Sequence, residues 1–99
     1  MNNIQELLVG DIVKVNASFL DNEPGSIGLV YETYQDFDDS SQKGVSIILE
    51  NGCNLGGFSR KEQHEYLEFV KSSNFEYEFK NVIQLDQDFR KGVFKEAFL

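Results

Sequence analysis

The chain is poor in cysteine, proline, histidine and tryptophan, with one, one, one and none among 99 residues. Cys53 alone closes no intrachain disulfide, so packing must hold the fold and a reducing setting is expected. His64 alone excludes a histidine metal cluster. No apolar run approaches the roughly 18 residues that cross a bilayer, and the start shows no basic-then-apolar leader. A cytoplasmic protein without membrane contact is the expectation. Basic residues are scarce in the first half, where nine acids face Lys14 and Lys43, while residues 51–99 hold eight acids against seven Lys and Arg. Nearly all of the net charge of -8 therefore falls on the first half. A surface of that sign repels phosphate backbones, which argues against direct nucleic-acid binding, and steers toward basic partners.

What is present suffices for one packed domain spanning 1–99. Apolar residues make up 40% of the chain and aromatics 13%, nine of them Phe. A chain of this size buries one modest core and leaves little room for a separate substrate domain.

Apolar runs cut by Gly, Pro and Asn at short intervals dominate residues 10–58, as in a compact, bent antiparallel sheet. Ile4, Leu7 and Leu8 stand at helical spacing in the lead-in. Residues 11–16 alternate as a strand covered on at least part of both faces, and Asn22-Glu23-Pro24-Gly25 has the chemistry of a turn. Over 26–34, Ile27, Leu29 and Tyr31 point one way and Gly28, Val30 and Glu32 the other. Gly28 admits a bulge or a closely passing strand. Residues 35–44, rich in Asp and Ser, read as a solvated loop. Asn51-Gly52 predicts a two-residue hairpin turn, with Glu50 opposite Cys53, Ile48 opposite Leu55 and Val45 opposite Phe58.

In the second half, Ser59-Arg60-Lys61-Glu62 has capping-box spacing and predicts a helix over 60–72, with Gln63, Tyr66, Leu67 and Val70 on one stripe. Phe75, Tyr77 and Phe79 alternate with charged residues, predicting a strand over 75–80. Phe89, Val93, Phe94, Ala97 and Phe98 predict a C-terminal helix over 87–98, with its basic residues late and Gly92 weakening it by about 1 kcal/mol.

The expected architecture is α+β, a small, strongly bent antiparallel β-barrel with one or two helices packed in the C-terminal half. The Gly10-Asp-Ile-Val-Lys-Val opening, the Gly25-Ser-Ile-Gly28-Leu-Val entry into a strand and the Asn51-Gly52 hairpin resemble the SH3-like barrels over roughly the first 60 residues.

Reaction chemistry finds little support. Asp36, Asp38 and Ser40 alternate like the start of a calcium loop, but its sixth and twelfth positions would be Ser41 and Ile47 where Gly and Glu are required. Nothing in the sequence brings His64 to Cys53, as a nucleophilic pair requires. Gly25-Ser-Ile-Gly28 lacks the Lys-Ser/Thr ending of a phosphate cradle and leads into a strand. A non-enzymatic protein without cofactor or metal is expected.

What remains is a recognition surface. Tyr31, Glu32, Tyr34, Asp36, Phe37, Asp38 and Asp39 form an aromatic-acidic stretch at the end of the best strand and in the following loop, and all but Tyr31 are the expected partner-binding residues. Tyr and Phe anchor interfaces at small entropy cost, and surrounding carboxylates select a Lys- or Arg-rich protein. The competing reading places Tyr31 in the core and leaves the acids to solvate a loop. In size, charge and layout the chain is similar to the immunity proteins that bacteria make against their own polymorphic toxins. That similarity implies an inhibitor whose Glu32, Asp36, Asp38 and Asp39 meet basic toxin residues, with Tyr34 and Phe37 as anchors. The alternative is an SH3-like adaptor or accessory subunit of a larger complex. The apolar run 93–99 needs cover, from its own sheet or from a second copy in a homodimer.

Overall fold

The computed structural model describes residues 6–37 and 40–99. Five strands alternate with short connections: β1 (Asp11–Val15), β2 (Ser26–Gln35), β3 (Lys43–Leu49), β4 (Asn54–Phe58) and β5 (Leu67–Ser72). Between the last two lies α1 (Arg60–Tyr66), and α2 (Val82–Arg90) and a 3-10 turn at Glu96–Phe98 complete the chain. The strands form one antiparallel sheet in the order β4-β3-β2-β1-β5. The chain is thus α+β, a five-stranded antiparallel sheet with two helices.

Both faces of this sheet are covered, as the alternation in β1 predicts. On the first face Val13, Val15, Val30, Val45, Ile47, Phe58 and Leu67 share a core with Leu7, and Phe19 and Tyr66 pack against it. On the second, Ile12, Leu29, Tyr31 and Ile48 meet Leu85, Phe94 and Ala97 from the C-terminal segment. Gly28 is the site of close passage, since a Cβ there would lie 2.6 Å from Ile47 Cγ2.

The β3–β4 hairpin keeps the Val45–Phe58 pair and departs elsewhere. Ile48 opposes Asn54 instead of Leu55, and a register shift follows Ile47. Glu50 does not face Cys53; Leu49 does, with Glu50, Asn51 and Gly52 between them. Gly52 N donates to Leu49 O at 2.8 Å and Leu49 N to Cys53 O at 2.8 Å. Only Gly52 takes a positive φ, of 92°, so this is a turn closed by a left-handed glycine and not a two-residue loop with two such residues. Asn51 uses its amide instead, accepting from Cys53 N at 2.9 Å and donating to Asn22 Oδ1 at 2.8 Å.

The expected helix over 60–72 ends at Tyr66, and its second half is β5. Leu67 already has extended backbone, φ -111° and ψ 140°, and 67–72 pairs antiparallel with β1. The segment fits both periods, with Leu67 and Phe69 inward in the strand and Val70 exposed. The edge of β1 decides it, because its backbone groups need partners that a helix cannot offer.

No strand forms over 75–80. The alternation holds, with Phe75, Tyr77 and Phe79 half-buried and Glu76, Glu78 and Lys80 exposed, yet the segment joins no ladder. It crosses the second face as an extended strap, with Phe79 5.0 Å from Tyr31 and Tyr77 4.9 Å from Phe94 between ring centroids. The expected helix over 87–98 is likewise displaced. α2 starts at Val82, where the Asn81 side chain accepts from Gln84 N at 2.8 Å, and stops at Arg90. Gly92, at φ 82°, terminates it instead of weakening it. Its N–H donates to Phe89 O and that of Val93 to Asp88 O, both at 3.0 Å, the paired bonds of a Schellman stop. Of the lead-in, Leu7 is buried and Leu8 exposed without helix, and Ile4 lies outside the described residues.

Candidate functional site

A bulge in β2 builds the centre of the candidate site. Val30 opposes Ile47, and Glu32, two residues on, opposes the adjacent Ser46, so Tyr31 is the extra residue. Such an insertion resets the alternation of side chains. Glu32 therefore lies on the second face beside Tyr31, contrary to the simple alternation, and accepts from Ser46 Oγ at 3.0 Å. Tyr31 is core, its hydroxyl donating to Asn54 Oδ1 at 2.8 Å.

Tyr34 occupies a slot made by absent side chains. It pairs with Gly44 of β3, and its ring runs on over Gly57 of β4. A Cβ at Gly44 would collide with the ring and one at Gly57 with the hydroxyl. An aromatic ring laid across strand glycines restores the packing these residues cannot supply. Tyr34 belongs to neither core cluster and stays half-buried. The Phe37 ring lies 6.4 Å from it, with 98% of that residue exposed.

The four predicted carboxylates separate. Glu32 is half-buried beside Tyr34. Asp36 is 5% exposed and departs from the expected docking role. Its Oδ2 accepts from Arg60 N at 2.8 Å, which satisfies an orphan amide at the start of α1. The expected capping box completes that start, with Glu62 N donating to Ser59 Oγ at 3.1 Å and Ser59 N to Glu62 Oε1 at 2.8 Å. Asp38 and Asp39 lie outside the described residues.

Buried Gln63 staples α1 to the sheet through bonds to Lys43 O at 2.9 Å and Phe58 O at 3.1 Å. This fixes Glu62 near the Tyr34 hydroxyl, whose pKa is raised above 10.0 by burial first and then by Asp36, Glu62 and Glu32. Negative potential converges on this tyrosine. Glu62, Gly44 and Gly57 escaped the sequence reading as parts of the site. The capping box located Glu62 but not its neighbour, and Gly44 read as part of the solvated loop 35–44.

The residues considered for reaction chemistry lie elsewhere. Cys53 packs against the first core cluster, and His64 is exposed on α1. Among the described residues no three His, Cys, Asp or Glu side chains are grouped to hold a metal ion, and no helix is long and apolar enough to cross a membrane. At the other end of the sheet, a groove of about 500 Å³ opens between Phe89, Phe94, Phe98 and Leu99, flanked by Glu50, Arg90 and Lys95.

Fold and site together define a small α+β sheet domain with an aromatic, acidic patch at one end. Comparison with protein-family models, with curated proteins and with solved structures gave no match.

Proposed function

We propose that this protein is a non-enzymatic, acidic protein-binding domain that docks a basic partner protein through the Tyr34–Phe37 end of its sheet, as an inhibitor of the immunity type. The observation that carries the reading is Phe37, an aromatic side chain 98% exposed beside half-buried Tyr34. Large apolar groups in that position gain by burial against a partner. Glu32, Glu62 and Asp36 set the sign of that partner through their field at Tyr34, and Asp38 and Asp39 add charge by sequence. Asp36 acts from within the fold, so direct contacts fall to Glu32, Tyr34, Phe37, Asp38 and Asp39.

The test is association with a basic nuclease domain, followed by stopped flow across ionic strength. Asp38→Lys with Asp39→Lys should slow association about tenfold or more and flatten its salt dependence. Phe37→Ala should leave association alone and speed dissociation. An unchanged on-rate and salt slope removes this face from the function.

The second reading, an SH3-like adaptor, is favoured by topology. Four strands meander, a single helical segment follows, and β5 returns to pair with β1. Phe19 packs edge-on against Phe58 at the end of β4 and Tyr66 just before β5, at 5.5 and 5.2 Å. β4 and β5 do not pair with each other, so the sheet is not closed and this reading rests on strand order. An adaptor would bind a peptide at its loops with little salt dependence, which separates the two readings in the same experiment.

A further inference from the structure

We infer that Asn51 is a site of spontaneous deamidation that the fold holds shut, and that its conversion, once made, undoes the contact that held it. Asn51 is the one asparagine of the chain that glycine follows. With no side chain at Gly52, the peptide nitrogen of that residue meets no hindrance in approaching the Asn51 side-chain carbonyl, and asparagine is chemically labile in that setting. Gly52 N gives up its proton to solvent and bonds to Asn51 Cγ, the Cγ–Nδ2 bond breaks, and ammonia leaves with a proton taken from water. Water then opens the cyclic imide at either carbonyl, leaving aspartate or isoaspartate.

The fold opposes the first of these bonds. Gly52 N–H donates to Leu49 O at 2.8 Å, which engages the nucleophile. The Asn51 amide is held at both ends, since its Oδ1 accepts from Cys53 N at 2.9 Å and its Nδ2 donates to Asn22 Oδ1 at 2.8 Å. The Phe89 ring covers Gly52, where a Cβ would lie 2.7 Å from Phe89 Cε2. These contacts must open before the imide can close, so the rate follows the population of the open turn. Asn22 gives the clip its direction. Its own Nδ2 donates to Phe19 O and Leu20 O, both at 3.1 Å, which leaves Oδ1 to face Asn51. A carboxylate at position 51 cannot donate to that oxygen, and it stands next to the like charge of Glu50. Isoaspartate also adds a backbone carbon inside the ring closed by the Leu49–Cys53 bond, where register depends on loop length. Either product weakens the turn, so one opening event leaves a lasting mark. The turn follows Leu49, at the far end of β3 from Gly44 beneath Tyr34, and the change is separate from the proposed partner-binding face.

Peptide mapping by mass spectrometry, after incubation of the full chain in warm, mildly alkaline buffer, reads the conversion at Asn51 directly. Folded protein should convert about tenfold or more slowly than the same chain in urea. Asn22→Ala removes the clip and should raise the folded-state rate about two- to tenfold. Phe89→Leu, a second way to uncover Gly52, should move it in the same direction. Hydrogen exchange separates local release from general loosening: the Gly52 amide should exchange faster in both variants, in step with deamidation, while the amide of buried Val30 keeps its wild-type rate. Asn51→Asp reproduces one product and should lower the urea midpoint. Equal rates folded and in urea, no acceleration in either variant, Val30 exchange that quickens by the same factor as Gly52, or Asn51→Asp as stable as wild type would each overturn the inference.

Discussion

Toward the groove end of the second face, Tyr77 donates to Asp88 at 2.6 Å beside the Phe94 ring. At the opposite end Tyr34 lies near Glu32, Asp36 and Glu62 and outside both core clusters. The residue types are the same, aromatics with carboxylates, and their uses differ. The C-terminal strap closes one end into a packed layer and meets Tyr31 through Phe79. Aromatic and acidic composition therefore does not separate a packed end from an open one. Coverage by a later segment of the chain does.

The comparison breaks most visibly in stability. Phe94 is 1% exposed and its ring meets Phe75, Tyr77 and Phe89, so Phe94→Ala should cost about 3–5 kcal/mol by lost burial and cavity formation. Phe37→Ala, at the uncovered end, should stay within about 0.5 kcal/mol. Urea unfolding monitored by circular dichroism measures both. Equal losses would mean that Phe37 is packed and that the two ends do not differ as described.

Between these extremes lies the slot beneath Tyr34. Gly44→Ala places a methyl group into the ring, and the displaced tyrosine should cost about 1–3 kcal/mol. In a Tyr34→Ala background the same substitution should be nearly neutral, giving a coupling of about 0.5–3 kcal/mol in a double-mutant cycle. Additive losses would show that the ring does not rest on that glycine.

That slot also shows where sequence reasoning reached its limit. Local signals with a physical mechanism were legible: the capping box at Ser59 and Glu62, the two-faced burial of β1, the Val45–Phe58 pair, the close passage at Gly28. Features decided by distant partners were not. Leu67–Ser72 satisfies a helix and a strand equally, and only the edge of β1 selects the strand. Residues 75–80 alternate without joining a ladder because their rings, not their backbone, find the sheet. The Tyr31 bulge carries no mark in its residue type, yet it turns Glu32 toward Ser46 and so builds the site. Asp36 reads as one more loop acid until α1 is seen to begin against it.

The smallest effect is expected in the titration of the covered end. The Tyr77 hydrogen bond is the largest cause holding the Asp88 carboxyl below its ordinary value of 3.8, ahead of the opposing effect of burial and the bond from Gln84. A carboxyl depressed in the folded state contributes stability that is complete above the unfolded value and is lost as pH falls through the folded one. Tyr77→Phe removes the hydroxyl and keeps the ring, so the Asp88 titration, followed by carboxyl carbon NMR, should move up toward 3.8. The acid-limb stability should shrink with it. Tyr34→Phe at the uncovered end should leave that titration where it was. Tyrosine ionisation has the opposite sense, since burial raises both Tyr34 and Tyr77 above 10.0. Their contribution is complete below 10.0 and is lost as pH rises through the folded values. If Asp88 titrates identically with and without the Tyr77 hydroxyl, then the covered end is held by ring packing alone, and the contrast between the two ends rests on burial and not on how their carboxylates are used.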